Sequence, residues 1–148
     1  MIVSYVRDDG STETVSVDDL TALEAAAIET AMDDTPWRRV EDLLRAQDPT
    51  AMRAVLWVAR RRQEADLAFA SFDLPGWRRR LTARIERADI EEVLNNILIE
   101  ALNKSEDSAI DAVAPHLRKL AADPADVDAA LDALGKGHLA RDRADSEG

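Results

Sequence analysis

Residues 48–62 read DPTAMRAVLWVARRR. Asp48 is a good helix cap, and Pro49 suits the first helical position, where its missing N–H does no harm. Met52, Val55, Leu56 and Ala59 then fall on one helical face, and Trp57 and Val58 widen the apolar arc. A helix that is apolar on most sides is either buried or lies against a partner. The run is cut off by Arg60, Arg61 and Arg62, and an acidic break follows before Phe69 and Phe72. The question is whether this is a buried helix with a wet end, a basic site for nucleic acid or phosphate, or a surface that grips another protein.

Working outward, residues 2–17, IVSYVRDDGSTETVSV, look unlike the rest. Asp9-Gly10 between β-prone segments is a strong hairpin signal. A lone hairpin is marginal in water, so it must pack on helices. From Asp18, the residues Leu20, Leu23, Ala27, Ile28 and Ala31 make one apolar stripe. Thr35-Pro36 predicts a second helix, capped by Thr35, with Trp37, Val40, Leu43 and Leu44 on its core face. Leu74-Pro75-Gly76 is a chain break and the expected boundary.

Beyond it the pattern is helical. Trp77, Leu81, Ile85 and Ala88 form one stripe, and Ile90, Val93, Leu94, Ile97, Leu98 and Leu102 form a stronger one. Asp89 resembles a capping residue, so the spacing leaves open a new helix there or one helix over 77–103. Ile110, Val113, Leu117 and Leu120 mark another helix, which Pro115 should kink or divide. Asp123-Pro124 starts a last one, and Gly135 is expected to end it. The predicted class is mainly α, an N-terminal β-hairpin packed on a bundle of six to seven helices. The predicted division is a hairpin plus three-helix region over 1–75, a C-terminal helical region over 76–135 and a disordered, solvated tail over 136–148.

The chain has 148 residues, with 30 acidic and 19 basic, for a net charge of −11. Residues 1–77 hold 15 acidic and 8 basic residues, and residues 78–148 hold 15 and 11, so neither half is a basic domain. Nucleic-acid affinity is largely electrostatic, and this sign opposes it. There is no cysteine, which excludes disulfides and cysteine–zinc chemistry. The N-terminus lacks a leader pattern and no apolar run approaches ~20 residues, so the expectation is a soluble, cytosolic chain with no membrane role.

Catalysis finds no support. His116 and His138 have neither metal-ligand spacing nor a nearby nucleophile motif, and no glycine-rich phosphate loop is present. The reading is a non-enzyme without metal or cofactor. The candidates for partner binding are Trp57, Arg60, Arg61, Arg62, Phe69, Phe72 and Trp37, because Trp and Arg are enriched at interface hot spots. The plain alternative is a set of core aromatics, with arginines that complement a helix C-terminus and pair with nearby acids such as Glu64 and Asp66. Arg78–Arg80, at a predicted helix start, has the unfavourable sign and calls for acidic neighbours.

The order of these parts resembles the tail assembly chaperones of long-tailed bacteriophages, especially those of actinobacterial hosts. The residues that carry the resemblance are Val17-Asp18-Asp19-Leu20, Asp48-Pro49-Thr50-Ala51, Val55 to Arg62, and Leu67-Ala68-Phe69 to Asp73, within roughly residues 1–75. Gln63-Glu64-Ala65-Asp66 stands where family members often carry an Asp-Pro or Glu-Pro pair. The resemblance implies a transient factor that binds the tape measure protein, keeps it soluble and recruits the tail tube protein. Homo-oligomerisation is left open. It also implies a −1 frameshift, and Gly135-Lys136-Gly137 is compatible with a GGG-AAA-G run, though it also reads as an ordinary helix stop. The alternatives are a structural head–tail or baseplate adaptor retained in the particle, and a helix-turn-helix regulator using Arg60–Arg62 or Arg78–Arg80.

Overall fold

Strands β1 (Ile2–Val6) and β2 (Thr12–Ser16) form the expected antiparallel hairpin, with Val3 opposite Val15 and Tyr5 opposite Glu13. The turn is closed by the Gly10 N–H donating to the Arg7 carbonyl at 3.0 Å. Gly10 sits at φ +84°, a left-handed conformation that glycine adopts without steric cost. Asp9 Oδ1 fastens the far side by accepting from the Ser11 N–H at 2.8 Å and the Ser11 hydroxyl at 2.6 Å.

The computed structural model describes residues 1–104 and 109–146. Among them the fold is mainly helical, with seven α-helices and a three-stranded antiparallel sheet ordered β2-β1-β3. The chain divides into two compact units, Met1–Arg84 and Ile85–Gly148. The sequence placed the boundary after residue 75. The difference comes from the third strand, β3 (Leu81–Arg84), which returns to pair with β1, Ser4 opposite Thr82.

In the first unit a 3₁₀ turn (Val17–Asp19) precedes α1 (Ala22–Ala31), so the helix starts later than the Val-Asp-Asp-Leu signal suggests. Thr21 and Glu24 form a reciprocal capping box: the Glu24 N–H donates to Thr21 Oγ1 at 3.1 Å, and the Thr21 N–H donates to Glu24 Oε1 at 3.0 Å. Helix α2 (Trp37–Arg45) follows. Thr35 does not cap it. Its hydroxyl donates to the Met32 carbonyl, and Glu29 of α1 supplies the cap by accepting the Trp37 N–H at 2.9 Å. Helix α3 (Pro49–Arg60) is capped by Asp48, which accepts the Ala51 N–H at 2.9 Å. Its buried residues, Ala51, Met52, Ala54, Val55, Leu56, Trp57 and Val58, cover nearly the whole circumference, so α3 is the spine of this unit. With Val3, Tyr5, Val15, Leu81 and Ala83 from the sheet, and Ile28, Val40 and Leu44 from α1 and α2, it forms the core.

The stripe read as helix over 77–88 is instead one helical turn, α4 (Trp77–Arg80), and then β3. Gly76, at φ +69°, sets the turn that precedes it. Pairing with β1 outweighs the helical preference of Leu, Ala and Arg, because strand formation depends on context more than on intrinsic propensity. The outer edge of β3 is covered by Gln47, itself held at φ +61°. The Gln47 amide nitrogen donates to the Ala83 carbonyl at 2.7 Å, and its amide oxygen accepts the Ala83 N–H at 3.0 Å. One side chain thus takes the place of a neighbouring strand.

In the second unit, α5 (Arg87–Lys104) is separate from α4, which decides between the two alternatives. Asp89 is not the cap itself. It lies one turn in and accepts the Glu86 N–H at 2.9 Å. Helix α6 (Ala109–Leu120) contains Pro115 without being divided. Its end is tied to Ile85, whose N–H donates to the Leu120 carbonyl at 3.0 Å and whose carbonyl accepts the Ala122 N–H at 2.9 Å. Helix α7 (Ala125–Ser146) begins after Asp123-Pro124, as the sequence suggests, but runs through Gly135. The expected stop at Gly135 is therefore corrected, and 147–148 lie outside the described residues. Each interior glycine costs a helix about 1 kcal/mol, and α7 carries two, Gly135 and Gly137. Ile85, Ile90, Leu94, Ala114, Leu117, Ala121, Val127 and Ala130 form the core of this unit.

No helix among the described residues is long and apolar enough to cross a membrane.

Candidate partner-binding surface

The arginine end of α3 and the two phenylalanines meet because the connector after α3 folds back along it. A 3₁₀ turn, Phe69–Ser71, sits at the bend. Arg53, one of the few polar residues on α3, holds it. Its Nη1 donates to the Phe69 carbonyl at 2.6 Å and to the Phe72 carbonyl at 2.8 Å, and its guanidinium lies 3.8 Å from the Phe69 ring centroid. The Trp57 indole N–H donates to the Leu67 carbonyl at 2.8 Å, and its ring meets Phe69 at 5.2 Å with a 60° tilt. Trp57 and Phe72 are buried. These aromatics anchor the connector, so the core reading holds for both.

Two of the three arginines form their ion pairs with acids distant in the chain, and Glu64 adds only a weaker charge attraction at Arg60. Arg60 pairs with Glu13 of β2 at 2.6 Å and lies 5.0 Å from the Phe72 ring centroid. Glu13 also receives Arg7 at 3.4 Å. Arg62 grips Glu24 of α1 with two bonds, at 2.8 and 3.0 Å. Arg61 lies over the Trp57 ring at 4.8 Å. Arg80, of the second arginine run, pairs with Asp8 in the hairpin turn. Trp37 is not part of this group. It is half-buried on α2, and its indole N–H donates to Glu41 at 3.1 Å.

Electrostatics follows the pairing. The hydrogen bond from Arg62 holds the Glu24 carboxyl below its ordinary range, with Thr21 contributing in the same direction. Arg60 is shifted upward, chiefly by its hydrogen bond to Glu13. A depressed Glu24 contributes stability above its unfolded pKa, and that contribution is lost as pH falls through the folded value. Glu24→Gln keeps a side chain able to complete the capping box and removes only the charge. The variant should lose about 0.5–1 kcal/mol near neutral pH, a modest value because Arg62 is half-exposed. The loss should vanish once pH is well below the ordinary glutamate range. Urea midpoints measured against pH check this, and a loss of equal size at low pH would contradict it.

Two concave surfaces flank these residues. One, of about 710 Å³, is lined by Tyr5, Glu13, Arg60, Asp73 and Pro75 among others, and within it Glu13 is paired with both Arg7 and Arg60. The other, of about 500 Å³, lies between α1 and the end of α3 and is floored by Ala27, Val58 and Ala65. Leu23 stands at its rim, 84% exposed. The sequence placed Leu23 on one apolar stripe with Ile28. The helix instead turns Ile28 inward and leaves Leu23 outside. Leu23 is thus the binding candidate that periodicity missed, and only its exposure reveals it. Among the described residues, no group of three or more His, Asp or Glu side chains is placed to hold a metal ion. The chain matches no family model, no curated protein and no solved structure.

Proposed function

We propose that this chain is a phage or prophage tail assembly chaperone, which binds the tape measure protein and assists tail tube assembly in the bacterial cytoplasm without remaining in the finished particle. The groove between α1 and α3 carries the reading. Leu23 and the small residues Ala27, Val58 and Ala65 offer an apolar strip, flanked by Arg61 and Arg62, that accepts the apolar face of an amphipathic helix. The order of hairpin, capped α3, arginine end and aromatic connector supports the same assignment. The arginines are engaged within the fold at Glu13 and Glu24, which favours a protein partner over nucleic acid. Along a very long helical partner, many weak contacts of this kind add up through multivalency.

Leu23→Glu tests the groove with little risk to the fold, because an exposed position tolerates the change. Co-expressed with the neighbouring long helical gene product, the parent should keep that product soluble, and Leu23→Glu should reduce the soluble fraction several-fold. A tape measure protein equally soluble alone would refute the chaperone reading. Mass spectrometry of purified particles addresses the adaptor alternative, since a chaperone is absent or scarce there.

A further inference from the structure

The two edges of the sheet are finished differently. On β3, Gln47 occupies both outward-facing groups of Ala83. On β2, the flanking backbone bonds are Val17 N–H to the Met1 carbonyl at 2.9 Å and Arg7 N–H to the Ser11 carbonyl at 2.8 Å. Hydrogen-bonded residues alternate along an antiparallel ladder. The odd-numbered residues of β2 therefore bond to β1, and Thr12 and Thr14 direct their N–H and C=O groups away from it. Both residues are exposed, and among the described residues no backbone partner meets them on that side. Proteins guard such edges with lysine, proline, a bulge or a covering segment. The β2 sequence, Thr12-Glu13-Thr14-Val15-Ser16, has no lysine or proline, and its register with β1 is unbroken.

We propose that β2 pairs antiparallel with β2 of a second copy of this chain about a two-fold axis at Thr14, joining two three-stranded sheets into one. The strand is self-complementary in that register. Thr14 faces Thr14, and Thr12 faces Ser16, which are favourable uncharged cross-strand pairs. Glu13, the one charged residue of the strand, faces Val15 rather than its own copy, and its carboxylate is already held by Arg60. No like charges oppose each other within the paired strands, and a two-fold axis makes the same patch serve both partners.

Sedimentation equilibrium of the full chain, with native mass spectrometry, tests this directly. The parent should be a dimer. Thr14→Pro removes an N–H that the monomer does not use, so the internal ladder keeps its bonds while the dimer loses two, and its dissociation constant should rise roughly thirtyfold. Thr14→Lys and Thr14→Glu should each weaken the dimer, and an equal mixture of the two should restore it as a heterodimer, because residue 14 meets its own counterpart. That mixing result stands even if the proline variant proves misfolded by circular dichroism. A parent that stays monomeric at about 100 μM overturns the proposal, as does a dimer indifferent to charge at residue 14.

Discussion

Trp57→Ala should lower the stability of the first unit by about 3–5 kcal/mol, the range for deleting a large buried aromatic side chain. The indole is buried, contacts Phe69 and donates to the Leu67 carbonyl at 2.8 Å, so truncation leaves both a cavity and an unmatched carbonyl. Trp57→Phe separates these effects. It keeps most of the volume and loses the hydrogen bond, for about 1–2 kcal/mol. All tryptophans lie within Met1–Arg84, so fluorescence during urea unfolding reports this unit alone through Trp37 and Trp77. A loss below about 1 kcal/mol for the alanine variant would show that Trp57 is not an anchor of the connector.

Arg53→Met should cost about 2–4 kcal/mol. It retains the apolar stem and deletes a guanidinium that bonds two carbonyls and covers an aromatic face. Its effect differs in kind from that of Trp57→Ala, because the loss is concentrated in the connector. Trypsin should cut near Arg61 and Arg62 faster in the variant, before the whole unit unfolds. Arg53→Lys should fall between, since an ammonium keeps the charge but cannot reproduce the planar fork. Unchanged cleavage and stability in Arg53→Met would mean that the connector is held by its aromatics alone.

Local chemistry was legible wherever neighbours in sequence decide the structure. Asp9-Gly10 marked the hairpin, Asp48-Pro49 marked the start of α3, and the breadth of the apolar arc from Met52 to Val58 narrowed that helix to burial or a partner, of which the structure shows burial. The misses share a cause in partners distant along the chain. Glu29, not Thr35, caps α2. Glu13 and Glu24 form the ion pairs with Arg60 and Arg62 that the sequence offered to Glu64 and Asp66. The third strand was hidden because Leu, Ala and Arg favour helix in isolation. One signal for it was present: Leu81-Thr82-Ala83-Arg84-Ile85 alternates apolar and polar residues, and the structure buries Leu81, Ala83 and Ile85. Of the proposed contact residues, Trp57 and Phe72 are buried against the connector, and Leu23 is 84% exposed, which no periodicity could show.

The place of β3 also bears on how the protein is made. Ser4 pairs with Thr82, so the first strand of the sheet waits for the last residues of its unit to leave the ribosome. At synthesis rates of about 5–20 residues per second, that delay is roughly 4–15 s. During that interval the hairpin can form, α3 can begin to cover its inner face, and the inner edge of β1 remains without its second neighbour. Joining segments so far apart in the chain is entropically costly and slow. The strand that the sequence disguised as helix is therefore the clasp of the first unit, and its arrival is the earliest moment at which the sheet of that unit can be complete.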